Sequence, residues 1–170
     1  KETNETLSPS KAETFFTGLD AFRGKYPFYG SAQVFRNAKN LPLYEDGMLY
    51  ASDLIHTSVL IDKMGPGYAI PDLLTKYRKS PRGVTIGKRK QIQEDGLQGA
   101  MTLAIRYPEY GPSAVARCAR IFYSNAVASQ NSGAKKEALL LAYTSLLLKF
   151  RLKTFLRLVL IALSRGQKQE

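Results

Sequence analysis

Lys25-Tyr26-Pro27-Phe28-Tyr29-Gly30 and Arg106-Tyr107-Pro108-Glu109-Tyr110-Gly111 are two versions of one phrase, 81 residues apart (94 less 13 at the aligned glutamates Glu13 and Glu94). The same ungapped shift pairs Gly18 with Gly99, Val34 with Val115, Arg36 with Arg117 and Ala38 with Ala119. After a small insertion, Leu54, Thr57-Ser58 and Leu60 fall on Leu141, Thr144-Ser145 and Leu147, and Arg82-Gly83 falls on Arg165-Gly166. Self-similarity at one period reads as duplicated architecture. The shared phrase is an elbow. Proline drives the preceding tyrosine out of the α region, and glycine allows the positive φ that would redirect the chain. Each copy is expected to run helix, elbow, helix, helix.

Working outward, Thr14 to Phe22 carries N-cap chemistry before an apolar run, and Ser31–Asn40 and Asp46–Met64 have apolar residues near helical spacing. Gly65-Pro66-Gly67 stops the latter. Ile70–Lys79 reads as a short helix or turn, and helical patterns return at Glu94–Ile105, Ser113–Ser129 and, longest, Ala134–Ser164. No stretch alternates with a period of two, so the expected fold is all-α: two degenerate tandem helical repeats joined by a basic connector. The bounds are a polar arm over 1–12, repeat 1 over 13–83, the connector over 84–93, repeat 2 over 94–166 and a polar tail over 167–170.

The 170 residues suit one ordinary domain or two small ones. With 44% hydrophobic residues there is enough apolar material for a folded body. Lys and Arg exceed Asp and Glu by 25 to 14, and the net charge of +11 favours an acidic partner. The single cysteine, Cys118, excludes an internal disulfide and a Cys-rich metal site. The longest uncharged apolar run, Ala138 to Leu148, is far below the roughly 20 residues of a membrane span, so no integral membrane protein is expected. Lys1 is neither an initiator Met nor part of a signal-like stretch, which is compatible with a leader removed from a longer precursor.

Few residues suit catalysis. His56 is the lone histidine, so a triad or His-based metal site lacks partners; beside Ile55 it reads as a packing or capping residue. Gly83-Val84-Thr85-Ile86-Gly87-Lys88 is superficially like a phosphate loop, but its glycines are one residue too close and Arg89 stands where Ser or Thr would meet Mg²⁺. The pairs Glu45-Asp46 and Glu94-Asp95 read as helix-start carboxylates. No catalytic or metal residue is assigned, and the chain is expected not to be an enzyme.

Cations cluster twice. Lys76, Arg78, Lys79, Arg82, Lys88, Arg89 and Lys90 crowd the connector, while Lys149, Lys153 and Arg157 recur every four residues along the long C-terminal helix. Both clusters are expected to bind an acidic partner. Ten tyrosines and eight phenylalanines could stack nucleobases beside such charge, but no RNA-binding signature or zinc finger occurs; a nucleic-acid-associated or ribosome-associated protein is the alternative reading.

Cys118 sits in Val115-Ala116-Arg117-Cys118-Ala119-Arg120. One reading is a small buried thiol. The other is an attachment point, with Arg117 or Arg120 stabilising a thiolate and clamping carboxylates of a linked acidic molecule such as a linear tetrapyrrole. Its repeat counterpart is Asn37, so one copy at most would carry such a group.

Over residues 13–166 the tandem helical repeats, positive charge, tyrosine-rich turns and candidate Cys resemble the γ-type linker polypeptides of red algal phycobilisomes, which associate with phycoerythrin. The resemblance implies a linker in the cavity of acidic phycobiliprotein hexamers, of phycoerythrin or phycocyanin, that joins them and other linkers into light-harvesting rods. It also implies a chloroplast location on the stromal side of the thylakoid membrane, and a phycourobilin or phycoerythrobilin at Cys118. The chain departs from the family in having one cysteine and modest length, and it lacks the Cys-Leu-Arg-Asp chromophore motif of the phycobiliprotein subunits themselves.

Overall fold

Thr17 begins the first helix in the way its chemistry dictates. In the computed structural model, which describes residues 3–5, 14–24, 52–69, 77–79 and 88–163, its hydroxyl accepts from the Asp20 N–H at 3.1 Å. The Asp20 carboxylate in turn accepts from the Thr17 backbone at 3.3 Å, completing a capping box. The helix, α1 (Gly18–Arg23), ends at Gly24 in the left-handed region, φ 73°. The capping residue is therefore Thr17, and Thr14–Phe16, expected to be helical, is a short strand instead.

The described residues are mostly helical. Six helices, α1, α2 (Ser52–Met64), α3 (Arg89–Arg106), α4 (Gly111–Asn131), α5 (Lys135–Leu148) and α6 (Leu152–Leu163), are joined by a 3₁₀ turn at Pro108–Tyr110 and by four strands of three residues each. These strands, β1 (Thr3–Glu5), β2 (Thr14–Phe16), β3 (Gly67–Ala69) and β4 (Tyr77–Lys79), correct the purely α expectation, placing a strand inside the polar arm and another inside the expected Ile70–Lys79 helix or turn. They form two antiparallel pairs, with Asn4 opposite Arg78 and Phe15 opposite Tyr68. Three residues are too few to display alternation, which is why the pattern carried no warning.

Packing divides the chain into two compact units, Lys1–Thr102 and Leu103–Glu170, the division falling within α3. In the first, α1 packs on α2, Phe16, Ala21 and Ile61 share a core, and the Gly18 N–H, an orphan donor of the first helical turn, reaches the Asp62 carboxylate at 3.0 Å. Gly67 lies across from Phe16, and a Cβ there would overlap the Phe16 ring. The stop at Gly65-Pro66-Gly67 occurs as expected, with α2 ending at Met64 and Gly65 at φ 105°.

In the second unit α4 and α5 form the principal pair and α6 lies against α5. Small residues let the helices approach: Ala126, Ala138, Ala142 and Ile161 form one fully buried cluster. Ser145, also fully buried, donates across the pair to the Ala119 carbonyl at 2.7 Å. The Lys135 ammonium closes the unit by donating to the Ala162 carbonyl in the last turn of α6 at 3.1 Å, the end where cations are favoured.

The expected single helix over Ala134–Ser164 is broken in two. Lys149 is extended, φ −155° and ψ 115°, and α6 restarts from the Arg151 carbonyl. A continuous helix would hold Ile161 away from Ala138 and Ala142, and the break lets it fold back onto them.

The elbow is half as expected. Tyr107 leaves the α region, φ −135° and ψ 88°, before Pro108, but Gly111 is right-handed, φ −46°, so the 3₁₀ turn redirects the chain and no positive φ is used. Tyr110 is fully buried beneath it, edge-on to Tyr107 at 6.2 Å. The first elbow, Tyr26–Gly30, and the Ser31–Asn40 helix lie outside the described residues. Where the aligned copies can be compared, Gly18–Arg23 and Gly99–Ala104 are both helical, but Thr14–Phe16 is strand where Asp95–Leu97 is helix.

Candidate functional surfaces

Arg89 and Lys90 form the first turn of α3 rather than part of a loose connector, since that helix starts five residues before Glu94. Cations at a helix N-terminus oppose the macrodipole, so no start signal could be read there. Glu94 and Asp95 consequently sit one turn inside and are not caps. Glu94 faces Lys90 at 3.9 Å, both exposed, while Asp95 is buried and accepts from the Gln91 amide at 3.0 Å. Lys88, Lys90, Gln91 and Glu94 line a shallow cleft of about 280 Å³. Arg78 and Lys79 lie on β4; Lys76 and Arg82 lie outside the described residues, as do Gly83–Gly87 and Glu45-Asp46.

The three-cation stripe does not exist as one helical face. Lys149 stands in the extended break, whereas Lys153 and Arg157 belong to α6 and turn toward α4. The Lys153 ammonium lies 5.9 Å from the Tyr123 ring centre, and Arg157 donates to the Gln130 amide oxygen at 3.0 Å. The regular spacing survives in the sequence, but the break at Lys149 removes the common face and Arg157 serves the unit's own packing.

Cys118 is 8% exposed on α4. Burial raises its pKa above the ordinary 9.0, with Arg117 and a backbone hydrogen bond opposing. The proposed activation by neighbouring cations is thus outweighed by desolvation, since removal from water penalises the thiolate. Arg117 is half-buried and Arg120 exposed. His56 is half-buried on α2, and among the described residues no group of three His, Cys, Asp or Glu side chains could hold a metal ion.

Two apolar rows went unread in the sequence. On α5, Leu140, Tyr143 and Leu147 are 54–70% exposed, opposite the Ala138/Ala142/Ser145 face. On α6, Leu152, Phe155, Leu156, Val159, Leu160 and Leu163 are all exposed, while Thr154 and Ile161 face inward. Spacings of three and four residues put each row on one face. The signal was present, because both helices are apolar on two sides, yet one apolar side looks like any other until packing selects which is covered. Among the described residues no helix is long and apolar enough to cross a membrane. Compared with known protein families, curated proteins and solved structures, the chain matches none.

Proposed function

We propose that the chain is a non-catalytic linker that docks into acidic protein assemblies and orders them, in the manner of the γ-type phycobilisome linkers its sequence resembles, with phycobiliprotein hexamers as partners in light harvesting at the stromal thylakoid surface. The observation that carries this reading is the combination of a net charge of +11 with the uncovered Leu140, Tyr143 and Leu147 row on α5. Charge steers such a chain toward an acidic surface and apolar anchors hold it there. The exposed Lys88 and Lys90 at the head of α3 supply part of that charge.

The tandem repeat over 13–83 and 94–166 belongs to the same reading, supported by the helical Gly18–Arg23 and Gly99–Ala104 segments and by Ser58 and Ser145, both fully buried at aligned positions. A bilin at Cys118 is the part that geometry supports least. Attachment requires a thiolate and access, and the buried thiol offers little of either, so a packing role is the better-supported use of this residue. Zinc-enhanced fluorescence of the denatured chain separates the two.

The linker role is tested by co-sedimentation of the full chain with phycoerythrin or phycocyanin hexamers. Binding is expected at low ionic strength, falling as salt screens the charges, and weakened by Leu140→Glu with Leu147→Glu. Tight oligonucleotide binding in the absence of hexamer binding would transfer the reading to a nucleic-acid partner.

A further inference from the structure

We propose that the outer face of α6 is an interfacial docking surface for an anionic lipid bilayer. The exposed row Leu152, Phe155, Leu156, Val159, Leu160, Leu163 is wholly apolar. Phe150, 69% exposed in the preceding break, extends it, with its ring 6.4 Å from that of Phe155. Protein interfaces place about one hydrogen bond in every 100–200 Å², and this row offers no side-chain donor or acceptor. A hydrocarbon boundary asks for none.

Charge selects among the remaining occupants. Between Ala138 and Gln169 there is no acidic residue, against the cations Lys149, Arg151, Lys153, Arg157, Arg165 and Lys168. A second copy of the chain would bring cation against cation. An anionic surface meets Lys149, exposed at the start of the row, with Lys153 exposed at the edge of the face beside Tyr123, while Arg157 remains engaged with Gln130. An apolar face flanked by Lys and Arg describes a helix lying in the plane of a membrane surface. The length agrees: 12 residues span about 18 Å at the α-helical rise, too short to cross the hydrocarbon. Thr154 and Ile161 meanwhile hold the opposite face on the bundle.

The surface is distinct from the α5 row invoked for the protein partner, so the two ideas fail separately. The test is flotation of the full chain with vesicles of phosphatidylglycerol and phosphatidylcholine, against phosphatidylcholine alone. Binding is expected only to the anionic vesicles and is weakened by salt. Leu156→Glu with Leu160→Glu lowers the apparent affinity more than about tenfold, because two leucines lose their burial in lipid. Leu140→Glu with Leu147→Glu on α5 leaves it unchanged. The chain contains no tryptophan, so Phe155→Trp supplies a unique reporter whose emission moves to shorter wavelength when anionic vesicles are added. That measurement decides the matter if the double-glutamate variant loses helicity. Absence of flotation, unaltered flotation of the Leu156/Leu160 variant, or a tryptophan emission from the Phe155→Trp variant that shifts with protein concentration but not with vesicles would overturn the proposal. The last outcome would assign the row to self-association, and none of the three would touch hexamer binding.

Discussion

Cys118 and Gly111 show how one residue's environment redirects its chemistry. Burial raises the Cys118 pKa above 9.0 despite Arg117, so the folded chain holds this proton more firmly than the unfolded chain does. The associated stability is complete below pH 9 and is lost as pH rises through the higher folded value. Alkylation of the native thiol is accordingly expected to be slow at neutral pH and to accelerate only above the ordinary thiol range, whereas the urea-unfolded chain reacts at lower pH; equal rates in both states would contradict the burial. Gly111, by contrast, is right-handed directly before Pro112, a conformation that a proline ring disfavours for any preceding residue carrying a Cβ. Gly111→Ala is therefore expected to lower stability in denaturant titration. A gain would mean that this helix start accommodates a Cβ against the proline ring.

At the scale of elements, the α4–α5 pair depends on small side chains. Ser145→Ala removes the bond to Ala119 with little change of volume and should cost about 1 kcal/mol, while Ser145→Leu must push the helices apart at about 1–3 kcal/mol or more. Thermal melts of the two variants check the order, and a more stable leucine variant would refute the close approach. The helices with strong apolar periodicity were legible: Ser113–Ser129 foreshadows α4, Glu94–Ile105 lies inside α3, and the Gly65-Pro66-Gly67 stop needed no tertiary information. The break after Leu148 was not, because Lys149-Phe150-Arg151 contains neither glycine nor proline and its extended backbone answers to Ile161 reaching the alanine cluster. The N-terminal turn of α3 was hidden by its cations. Of the candidate site, the cysteine and its arginines were visible, but the burial that governs the thiol was not, nor was the choice of which apolar faces of α5 and α6 stay open.

For the whole molecule, charge and exposed apolar surface act together. Raising salt screens the cations, which weakens attraction to acidic partners and also removes the mutual repulsion that keeps copies apart. Light scattering of the partner-free chain is expected to increase with ionic strength, and Leu140→Glu with Leu147→Glu should suppress the increase; a salt-independent signal would place the sticking surface elsewhere. The uncovered rows on α5 and α6 have a cellular corollary. Under the proposed docking role, a chain that keeps so many leucines and aromatic rings in water is expected to be treated as an orphan subunit, drawing chaperones and proteases whenever synthesis outruns its docking sites. Its abundance would then follow the supply of those sites rather than its own rate of translation.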